Sequence, residues 1–573
     1  MILQSINNIA EICARKGVKN AIISPGSRSA TLTLAFARHP DIKTKVIPDE
    51  RAAGFIGLGM AQYSQQTVAL ICTSGSAAYN FAPAVVEAYF QEIPLLVFTA
   101  DRPKEWGGQQ DGQTIYQTEI YGKHVKKSFE LPADYDHPDA IWQIERVLNE
   151  AINLSQIAPK GPVHVNVPIR EPFYPAANET IQYDRNVKIV ERLTTETVLP
   201  TDLWHRLQNE FESHDRILIA VGQLPPNPEL MKTLYTLSEE FGVVVLGDVT
   251  ANLPANEPFI GHHDVLLGNQ DEELRQSLRP DLLITLGNSF ISKNLKSFLR
   301  KQPPVAHWQV KITDELVDSL QSLTTQIPVE PTYFFQKLLE DLDYQQFVQH
   351  DSDDEERQKY RQIWLNNDRK AQQTLRHFLR TNAQWGDFLA VEWVIDHLPE
   401  NVVLQLSNSM PVRYANLLGL TQAAEVFANR GTSGIDGCSS TAVGAALATE
   451  KIVFLLTGDV AFFYDRNALW HPHLPDNLRI VLINNGGGNI FRLIDGPSAQ
   501  PELAQYFETQ HQQTAQRTAQ DAGITYVEVR QIADLETHWN VFCERDGKAK
   551  ILEIFTDPVA NGLVFEAYRA AVR

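Results

Sequence analysis

The chain repeats one local pattern along most of its length. A short apolar, β-branched run is followed by a turn rich in Gly, Ser, Asn and Asp, and then by a helix-like stretch, as in NAIISPGSRSA at 20–30, DLLITLGNSFISKNLKSFL at 281–299 and KIVFLLTGDVAFF at 451–463. Runs that are apolar throughout, rather than alternating, are typical of strands buried on both faces of a parallel sheet. The repeat therefore predicts an α/β protein built from right-handed strand–helix–strand units, which bind ligands at the carboxyl ends of their strands.

Two segments interrupt this pattern and divide the chain. Residues 171–203 are polar, carry Thr and Pro and lack periodicity, so we interpret them as a linker. Residues 349–381 include the mixed-charge run DSDDEERQKYRQ, which favours a solvated helix between domains. The remaining segments have the size of ordinary domains. We therefore expect three doubly wound parallel-sheet domains, at 1–180, 190–345 and 375–573.

Charge and composition exclude several classes of protein. The formal net charge is −20, which argues against nucleic acid or an anionic membrane as a bulk partner. The longest apolar runs have the length of strands and are too short for a membrane span, and the N-terminus lacks the features of a signal peptide. The cysteines are far apart and form no CxxC motif, which suits a reducing compartment and predicts a cytoplasmic protein: Cys13, Cys72, Cys438 and Cys543.

Two polar pairs follow neighbouring apolar runs near the C-terminus. Gly458-Asp459 follows KIVFLL, and Asn484-Asn485 follows RIVLI, with three glycines directly behind. The separation leaves room for one helix and the returning strand, so both pairs are expected at the ends of parallel strands. Carboxylate and amide oxygens suit Mg²⁺, and the glycines let the backbone approach an ion and a phosphate. Either pair alone is also typical of an ordinary turn; their joint occurrence favours a metal site.

This arrangement resembles the metal signature of thiamine diphosphate (ThDP) enzymes, GDG followed by NN. Val460 departs from it, since most of that superfamily has glycine there. The resemblance implies a ThDP-binding fold with an N-terminal pyrimidine-binding, a middle and a C-terminal diphosphate-binding domain. It also implies that Asp459, the Asn485 side chain and the Gly487 carbonyl ligate Mg²⁺, with Mn²⁺ as an alternative. The implied cofactor contacts are Glu50, Ser74, Gly75, Ser409, Gly434, Ile435, Gly458, Asp459, Asn485 and Gly487.

A ThDP enzyme also needs a glutamate beside the aminopyrimidine ring, to exchange a proton with a ring nitrogen. Glu50, in VIPDERAAGFIGLGMA at 46–61, begins a small-residue helix after a strand. An acidic residue at a helix start is commonly explained by the helix dipole alone. Together with the C-terminal pairs, Glu50 is better interpreted as the catalytic glutamate. Ile435 has two open interpretations: a bulky aliphatic beneath the cofactor, or an ordinary core isoleucine.

Further motifs resemble one family of ThDP enzymes over essentially the whole chain. They are SPGSR at 24–28, TSG at 73–75, ADRP at 100–103, NRGTSGIDG at 429–437 and NNGGGNIF at 484–491. The family is the 2-succinyl-5-enolpyruvyl-6-hydroxy-3-cyclohexene-1-carboxylate (SEPHCHC) synthases of menaquinone and phylloquinone biosynthesis. The resemblance implies a transferase that decarboxylates 2-oxoglutarate and adds the succinyl carbanion to isochorismate in a 1,4-addition. It also implies a homodimer or homotetramer with active sites shared between subunits.

The implied substrates are anionic, so an acidic protein should concentrate positive charge in the turns that form its site. Several basic residues do lie in these turns. Some relatives follow the lysine of SFISKN with arginine, but here it is Asn294, which makes the part played by the middle domain the weakest inference. The motifs imply substrate contacts by Ser27, Arg28, Arg102, Gln113, Lys293, Ser409, Arg413, Arg430 and Phe491.

Two other functions compete with this one. The chain could be another ThDP-dependent 2-oxo acid decarboxylase or carboligase with a different acceptor, or a catalytically silent binding protein that keeps the fold. Turnover of 2-oxoglutarate without an acceptor would mark a simple decarboxylase. The joint presence of Glu50, Asp459 and Asn485 argues against a silent protein, which has no need of all three.

Overall fold

The computed structural model describes residues 4–171, 173–175, 179–349, 354–381, 384–420, 424–494 and 496–572. Within these ranges the strands form three sheets, of six, five and six strands, and the strands in all three pair in parallel. The predicted α/β class with three parallel-sheet domains is therefore confirmed. No helix in the described ranges combines the length and apolar character needed to cross a membrane.

The N-terminal domain holds the first sheet, in the order β2-β1-β3-β4-β6-β5. Its strands are β1 (Asn20–Ile23), β2 (Lys43–Val46), β3 (Val68–Cys72), β4 (Leu95–Asp101), β5 (Ser128–Glu130) and β6 (Val163–Pro168). Its helices are α1 (Gln4–Arg15), α2 (Ala30–Ala37), α3 (Glu50–Ser64), α4 (Ser76–Asn80), α5 (Ala82–Gln91) and α6 (Pro138–Gln156).

Both faces of this first sheet are covered. Along β3, Leu70 and Cys72 pack into one apolar cluster with α3 and α5, whereas Ala69 and Ile71 pack into another with α1 and α6. Alternate residues of a strand point to opposite faces, so a strand covered on both sides must be apolar at every position. This explains why the central strands appear in the sequence as continuous apolar runs.

The middle domain holds the second sheet, in the order β11-β10-β9-β7-β8. Its strands are β7 (Ile217–Val221), β8 (Val244–Gly247), β9 (Leu282–Leu286), β10 (Ala306–Val310) and β11 (Thr325–Ile327). Its helices are α7 (Thr201–Glu212), α8 (Pro228–Phe241), α9 (His263–Leu266), α10 (Glu272–Leu278), α11 (Lys293–Lys301) and α12 (Pro331–Gln349).

The first of the two connecting segments is docked rather than free. Between β6 and α7 the described residues contain no helix or strand, as expected of a linker. The Tyr183 hydroxyl nevertheless donates a hydrogen bond to the Ala35 carbonyl at 2.7 Å, and Val187 is buried in the N-terminal core. The segment therefore packs along the N-terminal domain before α7 begins at Thr201.

The second connecting segment is helical, but the prediction of a solvated helix is wrong for one of its faces. Helix α13 (Asp354–Thr381) buries Tyr360, Trp364, Leu375 and Phe378 in the core shared by the middle and C-terminal domains. Glu355, Glu356 and Lys359 of the run are exposed, whereas its Arg357 is buried. Helix α13 is therefore amphipathic despite its mixed-charge composition. Residues 350–353, which include the first three residues of the run, lie outside the described ranges.

The C-terminal domain holds the third sheet, in the order β13-β12-β14-β15-β17-β16. Its strands are β12 (Val402–Leu406), β13 (Ala424–Ala428), β14 (Val453–Gly458), β15 (Leu478–Asn484), β16 (Thr525–Val529) and β17 (Lys550–Phe555). Its helices are α14 (Asp387–Asp396), α15 (Met410–Leu418), α16 (Cys438–Ala448), α17 (Asp459–Tyr464), α18 (Ile490–Leu493), α19 (Gln516–Ala522), α20 (Ile532–Cys543) and α21 (Pro558–Val572).

The backbones of helix α3, in the N-terminal domain, and helix α16, in the C-terminal domain, approach each other very closely. A Cβ atom added to Gly59 would lie 2.0 Å from the Thr441 carbonyl oxygen, and one added to Gly444 would lie 2.0 Å from that of Ile56. Only glycine permits this approach of the two backbones. The small-residue helix that begins with Glu50 is therefore fixed firmly against the C-terminal domain.

Candidate active site

A cavity of about 380 Å³ opens at the carboxyl ends of the strands of the C-terminal sheet. Parallel α/β sheets bind their ligands at this edge, and the volume is within the usual range for a small-molecule site. Its walls come from residues 387–509. The predicted site residues that line it are Ser409, Arg413, Arg430, Ile435, Gly458, Asp459, Asn485, Gly487 and Phe491.

Asp459, the first residue of α17, is 2% exposed and held in place by backbone donors. Its Oδ1 accepts a hydrogen bond from the Val460 N–H at 2.7 Å, and its Oδ2 accepts one from the Gly487 N–H at 2.9 Å. The His511 Nε2 lies 3.4 Å from Oδ2. Because Gly487 contacts the Asp459 carboxylate directly, the structure brings together the two strand ends that the sequence placed side by side.

Asn485 has a fixed orientation. Its Nδ2 donates a hydrogen bond to Asp387 Oδ2 at 2.8 Å, while its buried Oδ1 has no partner. Asp387 is 1% exposed and accepts a second hydrogen bond from the Thr556 hydroxyl at 2.5 Å. Burial raises the pKa of the Asp387 carboxyl, and Asp459 raises it further, while the bonds from Thr556 and Asn485 lower it. The Asn485 amide thus turns its nitrogen toward Asp387 and leaves its oxygen free.

This donor set fits a hard divalent cation. In the described part of the chain, no three His, Cys, Asp or Glu side chains cluster as metal ligands, so an ion beside Asp459 would need amide and carbonyl oxygens. The unpartnered Asn485 Oδ1 is such an oxygen. The Gly487 carbonyl accepts one hydrogen bond, from Asn489 at 2.9 Å, and keeps a second lone pair. Mg²⁺ accepts oxygen ligands of these kinds.

Two arginines contribute positive charge to the same cavity, and among the described residues neither forms an ion pair. Arg413 Nε donates to the Ser409 carbonyl at 3.2 Å. Arg430 Nη1 donates to Asn408 Oδ1 at 2.8 Å, and the buried Arg430 Nε has no partner. Burial lowers the pKa of both guanidinium groups, but arginine stays charged in proteins. The cavity is therefore suited to bind carboxylates.

The remaining predicted residues lie elsewhere in the chain. Arg102 Nη1 donates to the Ser74 hydroxyl and to the Gln113 carbonyl, both at 3.0 Å, and Gly75 lies against the Gln113 backbone. Burial lowers the pKa of Arg28, and the charge of Arg102 lowers it further. These residues form one cluster at the carboxyl ends of β1, β3 and β4 in the N-terminal domain. None of them lines the C-terminal cavity.

Four further predicted residues have separate environments. Glu50 is the half-buried first residue of α3, which is capped by the Asp49 side chain, and Glu50 does not line the cavity of this chain. Ser27 is exposed in the turn before α2, and Lys293 is exposed at the start of α11. Gly434 lies beside the cavity, where its carbonyl accepts a hydrogen bond from Asn408 Nδ2 at 2.7 Å.

Among the lining residues not predicted from the sequence, Asn408 and Asp387 hold other site residues in place. Asn408 binds Arg430, Gly434 and the Asn429 carbonyl, and thereby joins two of the turns that line the cavity. A signal was present, since Asn408 is the residue before Ser409 in a turn after a strand. Asp387 gave no comparable signal, because it begins a helix far from the strand ends in sequence.

Two models of protein families match the chain. The model described as the thiamine pyrophosphate enzyme N-terminal TPP binding domain matches residues 6–120. The model described as the middle domain of thiamine pyrophosphate matches residues 184–405. Thiamine pyrophosphate is another name for ThDP, so both matches agree with the metal signature and the fold.

Curated relatives match the chain from end to end. A protein of Cytophaga hutchinsonii is 43% identical over 100% of this chain and 99% of its own length. Proteins of Flavobacterium johnsoniae and Porphyromonas gingivalis are 38% and 34% identical, over 98% and 99% of this chain and 97% and 96% of their own lengths. All three are named 2-succinyl-5-enolpyruvyl-6-hydroxy-3-cyclohexene-1-carboxylate synthase. By its sequence, its three parallel-sheet domains and its ThDP-enzyme domains, this chain belongs to the SEPHCHC synthase family of ThDP-dependent enzymes.

Proposed function

We propose that this enzyme decarboxylates 2-oxoglutarate and adds the resulting succinyl unit to isochorismate, giving SEPHCHC and CO₂ in menaquinone or phylloquinone biosynthesis. The observation that carries the proposal is the composition of one cavity. It combines the Asp459 and Asn485 oxygens with two arginines that form no ion pair among the described residues. The first pair suits a metal that holds a diphosphate, and the arginines suit substrates that carry carboxylates.

ThDP, when bound, supplies the electron sink that makes loss of CO₂ and carbon–carbon bond formation feasible. Asp459, Asn485 and the Gly487 carbonyl would hold its Mg²⁺, or Mn²⁺. Ile435 is half-buried in the cavity wall, which supports its assignment to the cofactor. Arg413 and Arg430 would each bind a substrate carboxylate, and Phe491 would close the apolar side of the site.

Glu50 would act on the cofactor from a second copy of the chain. The walls of the cavity come from residues 387–509, whereas Glu50 and the Arg102 cluster belong to the N-terminal domain. A two-fold dimer that places the N-terminal domain of each subunit over the cavity of its partner would complete two sites at once. We therefore propose a homodimer, or a homotetramer of such dimers. In that position, Glu50 would exchange a proton with the cofactor's pyrimidine ring.

The N-terminal cluster would supply the remaining substrate contacts from the partner. Arg28 and Arg102 lie at the same sheet edge as Ser74 and Gly75, so one docking movement brings them all to the cavity. Lys293 is exposed and is assigned to the substrate only by its motif. The four cysteines are free thiols, which supports a reducing compartment such as the cytoplasm.

Product analysis tests the reaction. Purified protein is incubated with 2-oxoglutarate and isochorismate, with and without ThDP and Mg²⁺, and SEPHCHC and CO₂ are measured. We expect both products in equal amounts, and only with cofactor and metal present. Steady CO₂ release after isochorismate is withheld would instead identify a simple 2-oxo acid decarboxylase. No turnover together with intact ThDP binding would identify a silent binding protein.

Arg413→Ala tests the assignment of the arginines. If Arg413 pairs a buried substrate carboxylate, its loss should cost about 2–4 kcal/mol, mainly through a substrate KM. Unchanged KM values for both substrates would contradict the assignment.

Two inactive variants test the shared site. Glu50→Gln should retain ThDP but lose turnover, and Asp459→Ala should lose ThDP. When the two are co-expressed, each mixed dimer has one site with both lesions and one with neither. Random pairing should then restore about a quarter of the wild-type activity. Mixed dimers isolated with two affinity tags and still inactive would reject a site shared between subunits.

A further inference from the structure

Glu87, in α5 of the N-terminal domain, is a buried glutamate that contacts the C-terminal domain. It is 1% exposed. Its Oε1 accepts a hydrogen bond from the Gly431 N–H at 2.7 Å. Its Oε2 accepts one from the Thr432 N–H at 2.7 Å and one from the Thr432 hydroxyl at 2.5 Å. Two consecutive backbone amides of one domain are therefore bound by a single carboxylate of another.

The charge of Glu87 is compensated by hydrogen bonds. No described lysine, arginine or histidine forms an ion pair with it, and its fourth donor is the neutral Gln91 amide at 2.5 Å from Oε1. Gln91 in turn accepts hydrogen bonds from Gln62 at 3.0 Å and from Gln223 of the middle domain at 2.9 Å. A buried charge is costly unless every lone pair is satisfied. Such a group calls for an explanation beyond packing.

The segment that Glu87 binds carries site residues on both sides. Arg430, with its unpartnered Nε, comes directly before Gly431, and Ile435 follows shortly after Thr432. The loop lies on α5 without spare room, since a Cβ added to Gly431 would be 2.7 Å from the Glu87 carbonyl oxygen. On its other side, the Ser289 hydroxyl of the middle domain donates to the Arg430 carbonyl at 3.0 Å. The backbone at Arg430 is thus held from two neighbouring domains.

We infer that Glu87 is a positioning residue: it fixes the 430–435 loop, and through it the Arg430 guanidinium, in the position that binds substrate. This inference rests on the proposed function, which assigns Arg430 to a substrate carboxylate. Glu87 acts within one chain, in contrast to the proposed action of Glu50 across the dimer. An ionised carboxylate suits this role, because it only accepts hydrogen bonds and all four of its partners are donors.

Glu87→Gln is the informative variant, because it keeps the size of the side chain but replaces one oxygen with an NH₂ group. That group cannot accept from a backbone N–H, so one of the two loop amides loses its partner. We expect the KM of one substrate to rise about tenfold or more, the ratio that corresponds to the loss of one charge-assisted hydrogen bond. The affected substrate should be the one whose KM rises in Arg430→Ala.

A double-mutant cycle separates positioning from general destabilisation. If Glu87 acts through Arg430, the double variant should have the same KM as Arg430→Ala alone, within about twofold. Glu92→Gln is the matched control, since Glu92 follows α5 but pairs with Lys311 at 2.6 Å and forms no hydrogen bond with the described loop residues. That control should keep the wild-type KM values. The inference would be overturned if Glu87→Gln and Arg430→Ala raised KM by independent factors that multiply in the double variant. It would also be overturned if Glu87→Gln lowered Tm and left KM unchanged.

Amide hydrogen exchange tests the same inference without turnover. In the wild-type protein the Gly431 and Thr432 amides should be protected, and in Glu87→Gln their exchange should be at least about tenfold faster. Protection should be unchanged in Glu92→Gln. Equal protection in wild type and Glu87→Gln would refute the positioning role even if the proposed reaction holds. An inactive wild type with the expected exchange pattern would instead refute the reaction and leave the loop contact established.

Discussion

Asp387→Ala should weaken Mg²⁺-dependent ThDP binding although it removes no proposed ligand atom. Asp387 Oδ2 accepts the Asn485 Nδ2–H at 2.8 Å, and this contact turns the unpartnered Asn485 Oδ1 away from Asp387. A hydrogen bond to a charged acceptor contributes about 1.5–3 kcal/mol. Without this hydrogen bond, nothing favours one of the two flipped orientations of the Asn485 amide over the other, and only one of them presents the amide oxygen to a metal.

The expected size of this effect follows from that contact. We expect the Mg²⁺ concentration for half-maximal ThDP binding to rise about 10–100-fold, the usual cost of losing a group that orients a metal ligand. The assay is a Mg²⁺ titration of ThDP binding, followed by intrinsic fluorescence or calorimetry. Thr556→Val is the control, since Thr556 donates to the other oxygen of Asp387 and forms no hydrogen bond with Asn485. That control should shift the midpoint far less.

The refuting result comes from a double variant. In an Asn485→Ala background the oriented amide is absent, so Asp387→Ala should shift the Mg²⁺ midpoint by no more than about twofold. The same large shift in both backgrounds would mean that Asp387 acts on the metal by its own charge or on the fold. No shift in either background would mean that the Asn485 contact has no bearing on metal binding.

Three further outcomes are expected. Asp459→Ala should abolish ThDP binding at ordinary concentrations, and Asn485→Ala should weaken it less because a neutral ligand is lost; unchanged ThDP affinity in Asp459→Ala would contradict the metal assignment. Gly59→Ala would place a Cβ 2.0 Å from the Thr441 carbonyl oxygen, whereas nothing lies within 4 Å at Gly112. Gly59→Ala should therefore lower stability by about 1–3 kcal/mol or more, and Gly112→Ala should have little effect on Tm. Burial lowers the pKa of His164 to about 3, so His164 binds a proton less readily in the folded state than in the unfolded state. The free energy of unfolding therefore falls as the pH falls from about 6.5 toward 3. Between pH 7 and pH 5, the free energy of unfolding of the wild type should fall by about 2 kcal/mol more than that of His164→Gln. Equal falls, measured by chemical denaturation, would refute the low pKa of His164 in the folded state.

The sequence revealed the central strands but missed several others. Strands β3, β4 and β15 are buried at every position and appear as continuous apolar runs. Strand β6, VHVNVP, is equally buried, but His164 and Asn166 interrupt its apolar pattern. These side chains are satisfied inside the sheet by the Thr99 hydroxyl, at 2.7 and 2.8 Å. A sequence pattern cannot reveal such a partner, because the partner lies on another strand.

The site was predictable where its residues directly follow strands. Asp459 and Asn485 directly follow the neighbouring strands β14 and β15, and topology alone brings them to one sheet edge. Glu87 and Asp387 were not found, because a lone acid on a helix normally faces solvent and their burial depends on contacts with distant segments. The prediction of a solvated helix at α13 failed for the opposite reason, because the charged residues at the start of α13 obscured the apolar face that buries Trp364.

The buried glutamines around Glu87 limit how far this protein can be treated as modular. Gln62, Gln91, Gln223 and Gln405 come from all three domains and are linked by hydrogen bonds between their side-chain amides, with Gln405 donating to Gln62 at 3.2 Å. An excised domain would expose amides and a glutamate that have no partners of their own, beside apolar surface made to be covered. Recombination of domains between relatives therefore has to transfer these glutamines together with Glu87, as one inherited unit.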